Sequence, residues 1–139
     1  MKQGARIAAA IEILDAIVNR HQPVATALAD WGKAHRFAGS GDRNAIGGLV
    51  YDAMRRRSAI AWAMESDSPR ALALGAASAA LAMTPEAVVA ACDGEHHAPE
   101  ALSETEVRGL TRDPASAPEC IRANVPEWLW PSFVSAFGA

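Results

Sequence analysis

Cationic side chains between residues 33 and 57 are the groups in this sequence whose type and spacing best fit a binding chemistry. Phosphate contacts supply much of a protein's affinity for RNA, and the planar guanidinium of arginine offers them a bidentate fork. We therefore interpret the cluster as an RNA-binding surface that grips the phosphate backbone. Its six candidate residues are Lys33, Arg36, Arg43, Arg55, Arg56 and Arg57.

Helical periodicity places these candidates on different faces of their helices. Arg55 falls opposite the apolar stripe of its predicted helix and Arg56 at the edge of that stripe, so both suit contact with RNA. Arg43 and Arg57 fall near the stripe itself. For these two the alternative is a structural role, in which the guanidinium pairs with a carboxylate or caps carbonyl groups.

The connection over residues 33–41 combines positive charge with glycines and two rings. Gly39 and Gly41 are helix breakers, so a loop is predicted there. His35 and Phe37 are able to stack on an unpaired base, which is a common way to hold single-stranded RNA. The connection is therefore a second candidate RNA contact beside the arginines.

A polar segment after residue 91 invites comparison with a metal site. It contains Cys92, Asp93, Glu95, His96 and His97. Zinc sites favour ordered spacings such as Cys-x-x-Cys with His-x-x-x-His, and this segment lacks them. We interpret it as a polar loop, and we expect no metal and no cofactor in this chain.

Cysteine usage and hydropathy indicate a cytoplasmic setting. Cys92 and Cys120 are too few for a disulfide framework, and without a neighbouring base they fit small buried hydrophobes better than nucleophiles. Uninterrupted apolar runs such as residues 7–11 are far too short to span a membrane. The first six residues lead into a charged amphipathic pattern and not into a signal-peptide core.

The net charge of −3 hides an asymmetry between the two parts of the chain. Residues 1–57 carry nine Lys or Arg against five Asp or Glu, a net +4, whereas residues 58–139 carry four against eleven, a net −7. A basic first part can focus a positive field on one face although the whole protein is acidic. The alternative is an ordinary solvated surface.

The elements that must position these groups are predicted to be helices. Much of the hydrophobic content is alanine, which favours helix, and no alternating run supports a strand. Helices are expected over residues 5–20 and 23–34, and a third begins near Asp42, with a pattern that continues to residue 64. Gly47 and Gly48 lie inside the third helix, and their helix-breaking cost suggests a close helix–helix contact.

The second part of the chain continues the pattern. A nearly all-apolar helix over residues 69–83 is expected to be the buried central one. Ser68, in the turn before that helix, is predicted to cap it, and Thr84 is predicted to open the next helix, over residues 85–92. Further helices are predicted over residues 103–110 (opened by a Ser103–Glu106 capping box), 119–124 and 127–137. The prediction is an all-α bundle of seven or eight short helices in one domain.

Two stretches of the chain resemble a known family. In the first, an Asp-Arg pair opens a helix that ends in a Leu-Val-Tyr-x-x-Met-Arg signature: Asp42, Arg43, Leu49, Val50, Tyr51, Met54 and Arg55. The second has a Pro-x-Trp-Leu…Phe…Phe-Gly pattern: Pro126, Trp128, Leu129, Phe133, Phe137 and Gly138. Together, they are similar to the NusB-like N-terminal domain of the RsmB/Sun/Fmu ribosomal RNA cytosine-5 methyltransferases, and the resemblance covers essentially the whole chain.

The resemblance implies a NusB-like helical bundle over residues 1–125 and, over residues 126–139, the start of a linker to a catalytic domain. The implied role is to hold small-subunit ribosomal RNA for that domain, which uses S-adenosylmethionine and a cysteine nucleophile. Neither Cys92 nor Cys120 matches the family's Pro-Cys or Thr-Cys motifs, so this chain is expected to be non-catalytic and cut off before the enzyme. Trp128 and Trp130 would pack at the domain junction.

Two other functional classes stay open from the sequence. One is a protein-interaction module, as in the NusB-type antitermination factors, which pair with a ribosomal protein. The other is a free-standing helical regulator with no RNA role. The partners expected from the first interpretation are ribosomal RNA and the chain's own catalytic domain, with neither a membrane nor DNA.

Overall fold

A computed structural model describes residues 1–113 and 116–122. Within these residues the chain forms helices and turns, without a strand, so the predicted all-α class is confirmed. In chain order the helical segments are α1 (Gln3–Val18), α2 (Val24–Ala34), α3 (Ser40–Arg55), α4 (Arg57–Met64), α5 (Pro69–Ala80), α6 (Pro85–Ala91), α7 (Glu104–Thr111) and α8 (Glu119–Arg122).

α5 is the central helix, and it packs mainly against α1, α3 and α4. Leu72 and Leu74 are fully inaccessible to solvent, and a Cβ at Gly75 would collide with Ile60 of α4. The prediction of a buried central helix therefore holds for its first part. Its C-terminal end reaches the surface at Ser78, and the helix ends at Ala80 and not at residue 83.

α1 and α3 form a layer that packs together and against α5. Ile7 and Leu14 of α1 and Ile46 and Leu49 of α3 belong to one buried cluster. Removing each such side chain from water contributes about 1.5–3 kcal/mol to folding. Because one side of α3 is anchored in this way, its opposite side, which carries part of the predicted cationic cluster, is held toward solvent.

Short-range caps open three of the helices as their sequences predict. The hydroxyl of Ser68 accepts the Ala71 N–H at 3.1 Å, and that of Thr84 accepts the Ala87 N–H at 3.1 Å. The Ser103–Glu106 pair forms both bonds of a capping box. Each cap satisfies backbone donors that the first turn of a helix leaves unpaired.

The predicted continuation of α3 to residue 64 is wrong. α3 ends at Arg55, Arg56 leaves the helical conformation (φ −108°, ψ 23°), and α4 begins at Arg57. Apolar spacing continues across this point, which is why periodicity alone could not place the break. The interruption lets α4 pack against α7 and α8 while α3 packs against α1.

The predicted helix contact at Gly47 and Gly48 is also wrong. A Cβ built at either position would have no neighbouring atom within 4 Å. Close helix approach occurs instead at Gly75 and at Gly109, where an added Cβ would meet Met64 of α4. The glycine pair therefore lies on the outer side of α3 and has no packing role inside the bundle.

Several predictions lie outside the described residues. They are the helix over residues 127–137, the linker over 126–139, and the end of the helix over 119–124. None of the described helices is long and apolar enough to cross a membrane.

Candidate nucleic-acid interface

Two of the predicted RNA contacts lie at the end of α2 and in the connection that follows it. Lys33 occupies the last turn of α2, and Arg36 lies in the loop between α2 and α3. Both residues are exposed, and neither makes an ion pair or a side-chain hydrogen bond within the described part of the chain. Their charges are therefore available to a ligand.

Arg43, in the first turns of α3, uses its guanidinium to bind backbone carbonyls. It donates from Nε to Ala38 (3.0 Å) and from one terminal nitrogen to Gly32 (3.0 Å) and His35 (3.3 Å). This is the carbonyl-capping role weighed as its alternative. Arg43 fixes the connection between α2 and α3, and so it positions Lys33 and Arg36.

At the other end of α3, two arginines share a buried aspartate. Asp52 is 6 % exposed; Arg56 binds its two oxygens at 3.0 and 2.5 Å, and Arg55 binds one at 3.1 Å. Burial alone would raise the pKa of the Asp52 carboxyl, but the hydrogen bonds and charges of Arg56 and Arg55 outweigh it and lower that pKa. The carboxylate therefore stays ionised among them.

The same two arginines differ in how much they offer to solvent. The Arg56 side chain is 30 % exposed and forms the two-point contact, whereas that of Arg55 is 76 % exposed and contacts Asp52 with one nitrogen. Two positive charges against one negative charge leave a net +1 at this cluster. Arg57 adds a partly buried charge at the start of α4.

The six predicted residues therefore form two groups at opposite ends of α3. Arg55 is twelve positions after Arg43, which is about 18 Å along a helix axis. Between them, Asn44, Gly48 and Tyr51 lie on the same face as Arg55 and are exposed. The helix presents a polar strip that begins beside Lys33 and Arg36 and ends at Arg55; we call it the α3 face.

Three rings stand beside the first of these groups. Trp31 is buried and stacks on His35 with ring centroids 4.3 Å apart and an interplanar angle of 11°. Nδ1–H of His35 donates to the carbonyl oxygen of Trp31 at 2.8 Å. Phe37 meets the edge of His35 at 5.8 Å and is itself 76 % exposed. A large ring is thus held at the surface next to free cations.

The acidic second part of the chain neutralises arginines of its own. Arg70 binds Glu106 at 2.7 Å, and the pKa of the Glu106 carboxyl is lowered chiefly by that bond. Arg112 lies 3.5 Å from Glu65. The cations without a described partner are thus concentrated in the basic first part.

The polar segment after α6 shows no arrangement suited to a metal. Among the described residues, no group of three or more His, Cys, Asp or Glu could hold a metal ion. Cys92 is 1 % exposed, and burial raises the pKa of its thiol, so the prediction of a small buried hydrophobe is confirmed for this residue. The side chain of Cys120 lies outside what the structure describes.

Some surface residues were missed or underweighted by the sequence analysis. Tyr51 was used only as part of a motif, yet it is 54 % exposed beside Arg55. Glu12 was not singled out from the sequence, but its Oε2 accepts Nε1–H of Trp31 at 3.4 Å. A large aromatic residue at a polar position of a helix is the signal that could have identified Tyr51. No local signal pairs Glu12 with Trp31.

Comparison with known proteins adds no relative. The chain matches no protein-family model, no curated protein and no solved structure.

Proposed function

We propose that this chain is a cytoplasmic, NusB-like RNA-binding domain, without catalytic groups of its own, that holds small-subunit ribosomal RNA for a cytosine-5 methyltransferase domain. The all-helical fold is the class that this proposal requires. The link to ribosomal RNA and to S-adenosylmethionine-dependent methylation rests on the sequence resemblance. The RNA-binding part rests on the surface of the folded chain.

The observation that carries the proposal is the α3 face with its cationic ends. Lys33 and Arg36 flank one end, and the largely exposed Arg55 lies at the other. The axis of α3 between positions 43 and 55 is roughly 18 Å long, and because one strand of a duplex carries a phosphate about every 3.4 Å, this length spans about five phosphates. Separated charges of this kind suit an extended polyanion better than a small anion.

The motif that carries the resemblance divides into buried and exposed positions. Leu49 and Val50 are fully buried and hold α3 in the bundle, whereas Tyr51 and Arg55 are exposed. Arg55 gives Asp52 a single bond and is otherwise in solvent, so an exposed tyrosine beside it is more than a purely structural motif would need. This division supports a binding role for the segment.

A protein-interaction module is the alternative, and the exposed rings favour it. Phe37 and Tyr51 are large exposed side chains of the kind enriched at protein interfaces. RNA is the better-supported partner because the neighbouring free charges are cationic and no carboxylate among the described residues pairs with Lys33 or Arg36.

The test is a salt titration of binding to fragments of small-subunit ribosomal RNA. Arg36→Gln and Arg55→Gln each remove one positive charge without removing the main partner of Asp52. Arg108→Gln is the matched control, because Arg108 is exposed on α7 and bonds only weakly to Thr105 (3.4 Å).

We expect each test variant to weaken binding about five- to ten-fold at ~0.1 M salt and to reduce the salt slope by about 0.7–0.9. The control should match the wild type. Equal losses of RNA affinity in all three variants would mean that only the net charge of the protein matters. Wild-type RNA affinity in both Arg36→Gln and Arg55→Gln would mean that the α3 face does not contact RNA.

A further inference from the structure

We propose that the groove between α1, the end of α2 and the polar loop after α6 takes an unpaired, amino-bearing nucleobase, which is cytosine, adenine or guanine in preference to uracil. This inference rests on the proposed function and deepens it, because it names which part of the RNA the protein would read. The α3 face would hold phosphates, whereas this groove would hold a base.

The groove has the size of a small-ligand site. Its volume is about 620 Å³, within the range usual for such sites. Trp31, His35 and Phe37 line it on the side of α2, Glu12 lines it from α1, and His96 and His97 line it from the loop. Apolar walls with a few polar groups are the usual composition of a specific binding site.

The aromatic side of the groove is ordered in advance of any ligand. The core anchors Trp31, Trp31 stacks on His35, and the bond from His35 to the Trp31 carbonyl fixes the ring. Phe37 then projects from this stack with most of its surface in solvent. An exposed ring with a rigid support suits stacking on a base, which every nucleobase permits through its π-face.

Glu12 supplies the group that would distinguish one base from another. One carboxylate oxygen accepts Nε1–H of Trp31 in a long bond (3.4 Å), so acceptor capacity remains at the groove. An ionised carboxylate accepts hydrogen bonds and cannot donate them. It therefore favours an exocyclic amino group, such as N4 of cytosine, and disfavours the two carbonyl oxygens that flank the N–H of uracil.

One positive charge lines the groove and another lies next to it in the sequence. Lys2 lines the groove, and Arg36 lies in sequence between the two rings that line it, His35 and Phe37. Arg43 holds this connection in place through three carbonyl groups. A strand with its base in the groove could thus continue toward the α3 face, whose first end is this same connection.

Binding of mononucleotides, read at the Trp31 indole by NMR, tests the groove separately from phosphate binding. The probes are cytidine and uridine monophosphates, and Trp31→Phe assigns the resonance. We expect a saturable shift of that resonance, with cytidine monophosphate binding at least several-fold more tightly than uridine monophosphate. An indole resonance that does not move at high nucleotide concentration would overturn the inference.

Variants of Phe37 and Glu12 separate stacking from base recognition. Phe37→Tyr should bind like the wild type, and Phe37→Leu should bind roughly five- to 100-fold more weakly, because it keeps apolar area but loses the ring. Glu12→Gln should bring the ratio of the two affinities toward one. Val89→Ala, which shortens an exposed side chain on α6, should change nothing. Wild-type binding by Phe37→Leu contradicts the proposal.

A cytidine oligonucleotide distinguishes an RNA strand from a free nucleotide as the natural source of the base. If the natural source is an RNA strand, the oligonucleotide should bind more tightly than the mononucleotide, and Arg36→Gln should remove this advantage. Equal affinities for the oligonucleotide and the mononucleotide would overturn the assignment to an RNA strand and point to a free nucleotide. If Phe37→Leu leaves ribosomal RNA binding unchanged, the groove does not bind a base of that RNA. The proposed RNA-binding function would still stand.

Discussion

The two ends of α3 carry the same kind of residue and use it differently. At the N-terminal end, the Arg43 guanidinium donates to backbone carbonyls. Lys33 and Arg36 make no ion pair or side-chain hydrogen bond among the described residues. At the C-terminal end, Arg56 and Arg55 converge on the buried Asp52. A cluster of cations in a sequence is thus a mixture of structural and available charges.

The difference teaches that the charge and burial of the acceptor decide how strongly an arginine contact stabilises the fold. Asp52 is almost wholly inside the protein, so an unpaired carboxylate there would be costly, and Arg56 is committed to it. The carbonyl groups that Arg43 binds belong to the end of α2 and the loop after it, and Arg43 itself is exposed, so water can replace part of the lost donor. Arginine contacts at the two ends should therefore differ in their effect on stability.

Arg56→Met tests the C-terminal end and should have the largest effect. Removing the main partner leaves the buried carboxylate with a single bond from Arg55, so we expect a loss of about 3 kcal/mol in the free energy of unfolding. Urea denaturation measures this value. Arg55→Met is the matched control and should cost less than about 0.5 kcal/mol, because its side chain is mostly in solvent.

A double variant checks the cause of that loss. If the cost of Arg56→Met arises from the isolated carboxylate, adding Asp52→Asn should recover part of it, because the buried charge is then gone. Equal destabilisation by Arg56→Met and Arg55→Met would show that the two arginines share Asp52 evenly and that Arg56 is not its main partner.

Arg43→Met tests the N-terminal end and should have an intermediate effect. It removes three bonds from a charged donor to carbonyl groups, one of them long, and water can take over part of their role. We expect a loss of about 1.5 kcal/mol. Amide hydrogen exchange should accelerate in residues 35–39, whereas Arg36→Met should leave both measurements unchanged. Protection that stays at the wild-type level would mean that Arg43 does not hold the loop.

Sequence reasoning identified the features of this fold that depend on neighbouring residues. Ser68, Thr84 and Ser103 each cap a helix through a backbone N–H three residues ahead, so the necessary information lies within one turn. The all-α class likewise follows from local propensity and spacing. These features require no knowledge of which helices meet.

The features that could not be predicted depend on contacts between separate segments or on one residue's conformation. The partners of Arg43 come from α2 and the loop, and its use as a carbonyl cap is visible only when these are assembled. Likewise the groove combines Glu12 of α1 with Trp31 of α2 and with a loop more than fifty residues further on. The sequence therefore predicts which residue types form the candidate site, but it does not predict how those residues are arranged in space.

Gly48→Ala tests the middle of α3, between the two ends, and should have the smallest effect, of opposite sign. A Cβ at this position meets nothing within 4 Å, so alanine should raise the free energy of unfolding by up to about 1 kcal/mol through its better helix propensity. Gly47→Ala is the matched control, since its Cβ is equally unobstructed but is turned about 100° from the line that joins Gly48 to Arg55.

The two glycine variants should separate in RNA binding although they agree in stability. If RNA lies along the α3 face, the added methyl group of Gly48→Ala should weaken binding a few-fold without changing the salt slope, because no charge is lost. Gly47→Ala should bind like the wild type. A destabilised Gly48→Ala would mean that the surface of α3 is covered, and identical RNA affinities in both variants would mean that the RNA contacts the cationic ends without approaching the helix between them.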